Sequence, residues 1–253
     1  MRPLSRVFLL APLCLTSCYQ FVVTGQVGYS QLGLDGDLGY VNGTSSIAVQ
    51  QDLQSGFGLG DDQGTPYARA SVDLGVPRIA ASGFLFSDEG RGQLTANFGG
   101  NLTAGTFVDS KFDLGMAKAS FTFDIPIGPL TLSPGLAVDF VDLSINVKDT
   151  LGIATEDVEL KAPLPLGYVH GDLALGSWVN LVAEVGYVQV DVKDINAKLL
   201  DIEALVELNA IGPVNLFAGY RKIQLDGDGA IDNDNFDISV GLSGFLIGGG
   251  VRF

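Results

Sequence analysis

The chain has 253 residues, 47% of them hydrophobic and only 17% charged, with 34 glycines, two cysteines and a formal net charge of −15. That charge excludes a nucleic-acid binder and a basic patch for anionic lipid, both of which need clustered Lys and Arg. Its longest apolar run, Val7 to Leu15, is broken by Pro12 and falls short of the ~20 residues a transmembrane helix needs. A chain this apolar and this acidic fits a membrane protein with acidic loops, and without a helix only a closed β-barrel crosses a bilayer with its backbone paired.

The N-terminus reads as a targeting segment. Arg2 and Arg6 precede the apolar stretch Val7 to Thr16, the arrangement of a secretory signal. Leu15-Thr16-Ser17-Cys18 follows at once and resembles the lipobox of bacterial lipoproteins. The resemblance implies residues 1–17 as signal peptide and Cys18 as an acylated mature N-terminus. Tyr19 stands where that family's retention signal has Asp, which implies onward transport to the outer membrane of a Gram-negative-type bacterium. The plain alternative is a free Cys beside an ordinary cleavage site. Residues 18–44 are then a linker or part of the first strand, and 45–253 a barrel.

From about residue 45 the apolar period is two rather than 3.6. Val108, Phe112, Leu114 and Met116 alternate with Asp109, Lys111 and Asp113; Leu200, Ile202, Ala204, Val206 and Leu208 alternate with Asp201, Glu203 and Glu207; Phe236, Ile238, Val240 and Leu242 alternate with Asp237, Ser239 and Ser243. Apolar-out and polar-in alternation predicts an all-β antiparallel transmembrane barrel. Ten strands are predicted, at 45–53, 66–74, 78–87, 106–125, 130–147, 158–174, 178–193, 198–210, 214–225 and 235–253. Residues 25–41 are the alternative first strand, which leaves 45–53 in a loop or inside the lumen. An even count puts both termini on one side, the periplasmic one. Short turns near 76–77, 126–129, 176–177 and 211–213 face the longer loops 54–65, 88–105, 148–157 and 226–235. In the last strand the apolar positions change parity at Ser243-Gly244, which reads as a β-bulge.

The closing stretch Phe245 to Phe253 resembles the C-terminal signal of outer-membrane barrels, a terminal Phe preceded by alternating apolar residues. Phe253, Val251, Ile247 and Phe245 fit it and Gly249 departs from it. The resemblance implies recognition by the barrel-assembly machinery and a small OmpA-type or porin-like barrel in the lipid bilayer.

Alternation puts Asp109, Lys111, Asp113, Lys118, Glu184, Asp201, Glu203, Glu207, Arg221 and Arg252 inward, as a cation-favouring lining or as an ionic filling of a narrow lumen. Counting back across the turn 211–213 sets Glu203 opposite Arg221. The single histidine, His170, reads as a lumen-rim residue. The stretch Gln224 to Asn235 resembles the core of an EF-hand loop, which implies Asp226, Asp228 and Asp232 as calcium ligands; Gln224 and Asn235 depart from the motif, and a solvated acidic hairpin is the alternative. No other cofactor is implied. The function expected is a non-enzymatic barrel, structural or a small passive channel for solutes or ions. The alternatives are an outer-membrane enzyme acting on lipid or peptide, and a periplasmic ligand-binding lipoprotein barrel.

Overall fold

The computed structural model describes residues 21–42, 48–192, 195–231 and 234–253. Ten long antiparallel strands form its wall: β1 (Val22–Asn42), β3 (Gln63–Asp73), β4 (Pro77–Gln93), β5 (Phe107–Phe123), β7 (Leu130–Asp149), β8 (Thr155–Ala174), β9 (Val179–Val192), β10 (Ile195–Ile211), β11 (Val214–Ile231) and β12 (Asp234–Arg252). Two short strands, β2 (Gln51–Asp52) and β6 (Ile125–Ile127), and one short helix, α1 (Leu53–Phe57), complete the elements. The barrel closes where β12 meets β1, from Thr24↔Arg252 to Asn42↔Asp234. Closure leaves no open sheet edge at that seam.

The first strand is therefore Val22–Asn42 and not 45–53, and the barrel begins well before residue 45. Residues 48–62 turn into the mouth of the barrel instead. Asp52 caps α1 by accepting from the Ser55 N–H (2.7 Å), and Gly58 ends it in the left-handed conformation at φ 72°. Cys18 and Asp232 lie outside the described residues.

Along each long strand the apolar residues change faces at one level. On β5 and β7, at the end that carries the chain termini, Lys118 pairs with Asp139 inside while Ala117 pairs with Phe140 outside. Toward the loop end, Leu114↔Leu143 and Phe112↔Ile145 are buried inside, and Asp113↔Ser144 and Lys111↔Asn146 lie outside. The strands β11 and β12 repeat this. Tyr220 and Phe245 meet edge to face outside at 5.3 Å, and the next outward pair is Lys222↔Ser243. Inside, Arg221 gives way to Ile223↔Leu242.

The outward apolar stretch runs for about nine residues, as in Phe245 to Phe253 or Leu132 to Phe140, which is the length a tilted strand needs to cross a bilayer. The remainder of each strand stands beyond that band as a water-facing barrel with an apolar core. Ladder pairing is continuous through Ser243 and Gly244 on both sides, so the expected β-bulge is absent. The parity change in β12 is a change of face chemistry, with Leu242 1% and Phe245 73% exposed.

Candidate functional site: the filled lumen

Two layers fill the interior. In the band half the inward positions hold a buried ionic network. Arg221 donates to both oxygens of Asp201 (3.2 and 2.8 Å) and lies 3.8 Å from Glu203. Lys118 reaches the same Asp201 at 2.5 Å. Arg69 joins Glu184 (2.6 Å) to Glu203 (3.4 Å), and Tyr67 donates to Glu203 (2.9 Å). Glu207 accepts from Gln26 across the seam at 2.9 Å. Asp201, Glu184, Glu203 and Glu207 each face a donor, the condition under which charges persist in a dry interior, whereas the buried Asp139 has no hydrogen-bond partner among the described residues. Toward the chain termini the network leaves a polar cavity of about 20 Å³ bordered by Arg69, Arg78 and Glu207, roughly the room of one water.

His170 belongs to this network. Its Nε2 meets Arg78 (2.5 Å) and its Nδ1 meets Glu184 (3.1 Å). A guanidinium only donates, so Nε2 is the acceptor and the Nδ1–H is given to Glu184. The ring's one lone pair is thereby committed. Ser133 sits cross-strand from His170 but donates to Asp124 at 2.6 Å. The hydroxyl and the imidazole therefore do not form a nucleophile–base pair.

The second layer is apolar. Leu32, Leu38, Phe112, Leu143, Ile145 and Leu242 belong to one buried cluster with Leu53 and Phe57 of α1. Phe57 meets Phe98 edge-on at 5.2 Å. The loop 94–106, which carries Phe98, folds across the mouth. Gln51 Oε1 accepts from the Thr95 and Ala96 N–H groups (2.7 and 2.9 Å), and Glu156 accepts from those of Gly100 and Asn101 (3.0 and 2.9 Å). The residues following α1 lie backbone to backbone on β4, where a Cβ at Gly90 would come within 1.9 Å of the Gly58 carbonyl oxygen.

Of the residues expected inside, Lys118, Glu184, Asp201, Glu203, Glu207 and Arg221 are there; all but Glu207, which accepts from Gln26, are joined in one network through Arg69. Asp109, Lys111 and Asp113 are not. They lie on the outer face beyond the band, where Asp109 accepts from Arg91 (2.7 Å) and Lys111 meets Glu89 (3.1 Å). Tyr67 and Arg69 escaped the sequence reading, although Tyr67, Arg69 and Ser71 alternate with Ala68, Ala70 and Val72. The expected calcium loop is largely strand. Asp226 and Asp228 belong to β11, where Ser239 and Asn196 donate to them (2.8 and 3.1 Å). Among the described residues no group of three acidic, His or Cys side chains could hold a metal ion. Phe245, Ile247, Val251 and Phe253 all face outward.

No family model and no curated protein matches the sequence. Solved structures do. The outer membrane protease OmpT from Escherichia coli superposes with a TM-score of 0.62 at 10% identity, covering 92% of this chain and 96% of that one. Ail of Yersinia pestis matches at 10% identity over 92% and 99% of the two chains with a TM-score of 0.39. The toluene transporter TodX of Pseudomonas putida matches at 9% identity over 92% and 89% with a TM-score of 0.33. The chain has the fold of a bacterial outer-membrane protein: an all-β, antiparallel, closed barrel of ten strands.

Proposed function

We propose that the protein is a non-enzymatic outer-membrane barrel with a sealed lumen, a structural element of the membrane rather than a pore. The observation that carries this reading is the double filling, ion pairs in the band half and an apolar core closed by α1 in the other. Ten strands lie near the eight at which side chains fill a barrel and far from the 16–18 that leave a channel. The outward apolar band supports residence in the bilayer, and the outward Phe253, Val251, Ile247 and Phe245 support recognition by the assembly machinery.

OmpT is a protease, but the committed lone pair of His170 and the Ser133 hydroxyl turned to Asp124 speak against a histidine-based hydrolase here. Apolar side chains filling the loop half also speak against an open, lipocalin-like cup. The lipobox-like segment adds acylation at Cys18. Cys18→Ala should then abolish lipid labelling while the barrel alone keeps the protein in the membrane. Planar-bilayer recording, paired with liposome swelling by small sugars, tests the seal. Silent bilayers and unswollen vesicles are expected, and stable conductance steps would refute it.

A further inference from the structure

The ladder between β8 and β9 stops at Gly167↔Tyr187. Both strands continue beyond it: β8 stays paired to β7 up to Thr155, and β9 stays paired to β10 up to Val192. Carrying the register past Tyr187 would set Pro165 against Gln189 and Pro163 against Asp191. In an antiparallel ladder each residue directs its N–H and C=O to one neighbour and the next residue to the other. Pro163 and Pro165 therefore aim the same way, and neither has an N–H. The ladder to β7 runs through both, as Phe140↔Pro163 and Val138↔Pro165. The missing donors thus fall on the β9 side, and pairing ends there.

The wall has a second break of this kind, between β3 and β4 beyond Tyr67↔Phe84. That one is covered by the residues after α1, with the Gly60 N–H and Gln63 both donating to Asp88 (2.7 and 2.8 Å). The break between β8 and β9 has no such cover among the described residues. Val158, Leu160, Leu164 and Val188 beside it are only partly buried, though they pack on the apolar core. A cavity of about 240 Å³ lies at this edge, walled by Tyr40, Val158, Leu160, Phe236 and Ile238. Asp157 and Glu159 line it as well. These two point to the opposite face of β8 from Val158 and Leu160. Over these residues β8 has no ladder partner on its β9 side among the described residues, so the cavity borders an unpaired strand edge. The break begins beside Phe140, the last outward apolar residue of β7 before Asp142, and hence at the loop-side boundary of the membrane band.

We propose that this opening admits an apolar molecule bearing a positive charge, with its hydrocarbon part against Tyr40, Leu160, Phe236 and Ile238 and its charge at Asp157 and Glu159. Asp234, which accepts from the Tyr40 hydroxyl at 3.0 Å, also lines it, and the lining contains no Lys or Arg. Lys161, the nearest cation along β8, is turned to Asp142 at 3.4 Å. An apolar cavity of about 150 Å³ already accepts benzene, so this one has room for a chain of about eight carbons. The site borders the apolar core that fills the loop half of the lumen, since Ile238 belongs to that core and Tyr40, Leu160 and Phe236 pack against it.

The test is calorimetric titration of the refolded protein in zwitterionic-lipid nanodiscs, with octyltrimethylammonium and with octanoate as probes and empty discs as the blank. Saturable binding of the cation is expected, with octanoate weaker by at least about tenfold. Leu160→Trp fills the cavity and should abolish the cation's saturable heat. Asp157→Asn with Glu159→Gln alters only exposed carboxylates, leaves the fold in place, and should weaken the cation about tenfold while narrowing its advantage over octanoate. Absence of saturable binding, equal affinity for the two probes, or unchanged affinity in the charge variant would each overturn the proposal.

Discussion

Glu203 and Arg221 face each other across β10 and β11, yet Arg221 gives both of its short hydrogen bonds to Asp201, two residues along, and stands 3.8 Å from Glu203. Facing positions in a ladder fix which backbone atoms are opposite. A long guanidinium on a twisted sheet then chooses among carboxylates on the same face by fit. Glu203 is left to Tyr67 and Arg69 from across the lumen. Arg221→Ala should destabilise the barrel by about 3–5 kcal/mol, because two buried carboxylates each lose one of their two cations, leaving Asp201 with Lys118 and Glu203 with Arg69. In double-mutant cycles read by urea unfolding in lipid vesicles, the coupling of Arg221 to Asp201 should exceed its coupling to Glu203. The reverse order would mean that the short Asp201 contacts are not the stabilising ones.

Lys118 and Lys111 stand on the same strand with opposite side-chain parity. The Lys118 side chain is 5% exposed and bonded to an Asp201 that is fully buried; that of Lys111 is 46% exposed beside Glu89. Lys118→Ala should cost about 3–5 kcal/mol. Lys111→Ala should cost under about 1 kcal/mol, since an exposed pair is screened by water. Equal losses in the same unfolding assay would contradict the assignment of faces.

Asp52 controls the segment that closes the loop end. The Ser55 N–H holds its carboxyl below its ordinary value of 3.8. A lowered folded-state value stabilises the capped form above that pH, and the contribution is lost as pH falls through the folded value. Asp52→Ala should cost about 1 kcal/mol locally. Amide exchange at residues 53–59, corrected for intrinsic rates, should quicken in the variant at pH 6. Acidification below 3.8 should quicken it in the parent and not in the variant. An unchanged variant would show that the cap does not hold α1.

Closure, strand number and the Glu203–Arg221 register were legible in the sequence, because period-two alternation and a short turn leave little freedom; at the turn itself Ile211 rather than Ala210 meets Val214, and the extra residue is absorbed between Asn209 and Ile211. The inward placement of Asp201, Glu203 and Glu207 was legible for the same reason, since those residues lie within the band. Asp109 and Lys111 were misplaced because alternation reports which residues share a face, not which medium that face meets. A strand twice as long as the membrane crosses from lipid outside to water outside, and the apolar side must then turn inward without any slip in register. The same ambiguity made the parity change at Ser243-Gly244 read as a bulge. The stretch 45–53 alternates much as a strand does, and only the burial of Gln51 and Leu53 with the apolar core marks its described part as belonging to the plug. The contacts of Arg69 with Glu184 and Glu203, and of Arg78 with His170, lie between strands far apart in sequence, so no local pattern announces them.

The exchange of faces along a single unbroken ladder is tested most directly by tryptophan scanning of β12 in vesicles whose acyl chains carry bromine, with Trp178 first replaced by Phe. The account predicts that tryptophan at Phe245 and at Ile247 is quenched by the brominated chains. Tryptophan at Leu242 and at Leu246 should be protected both from them and from aqueous iodide, while at Ser239 iodide alone should quench. Quenching by brominated chains at Leu242 as well as at Ile247 would put the two positions on one face, as a bulge at Ser243-Gly244 requires, and would contradict the account.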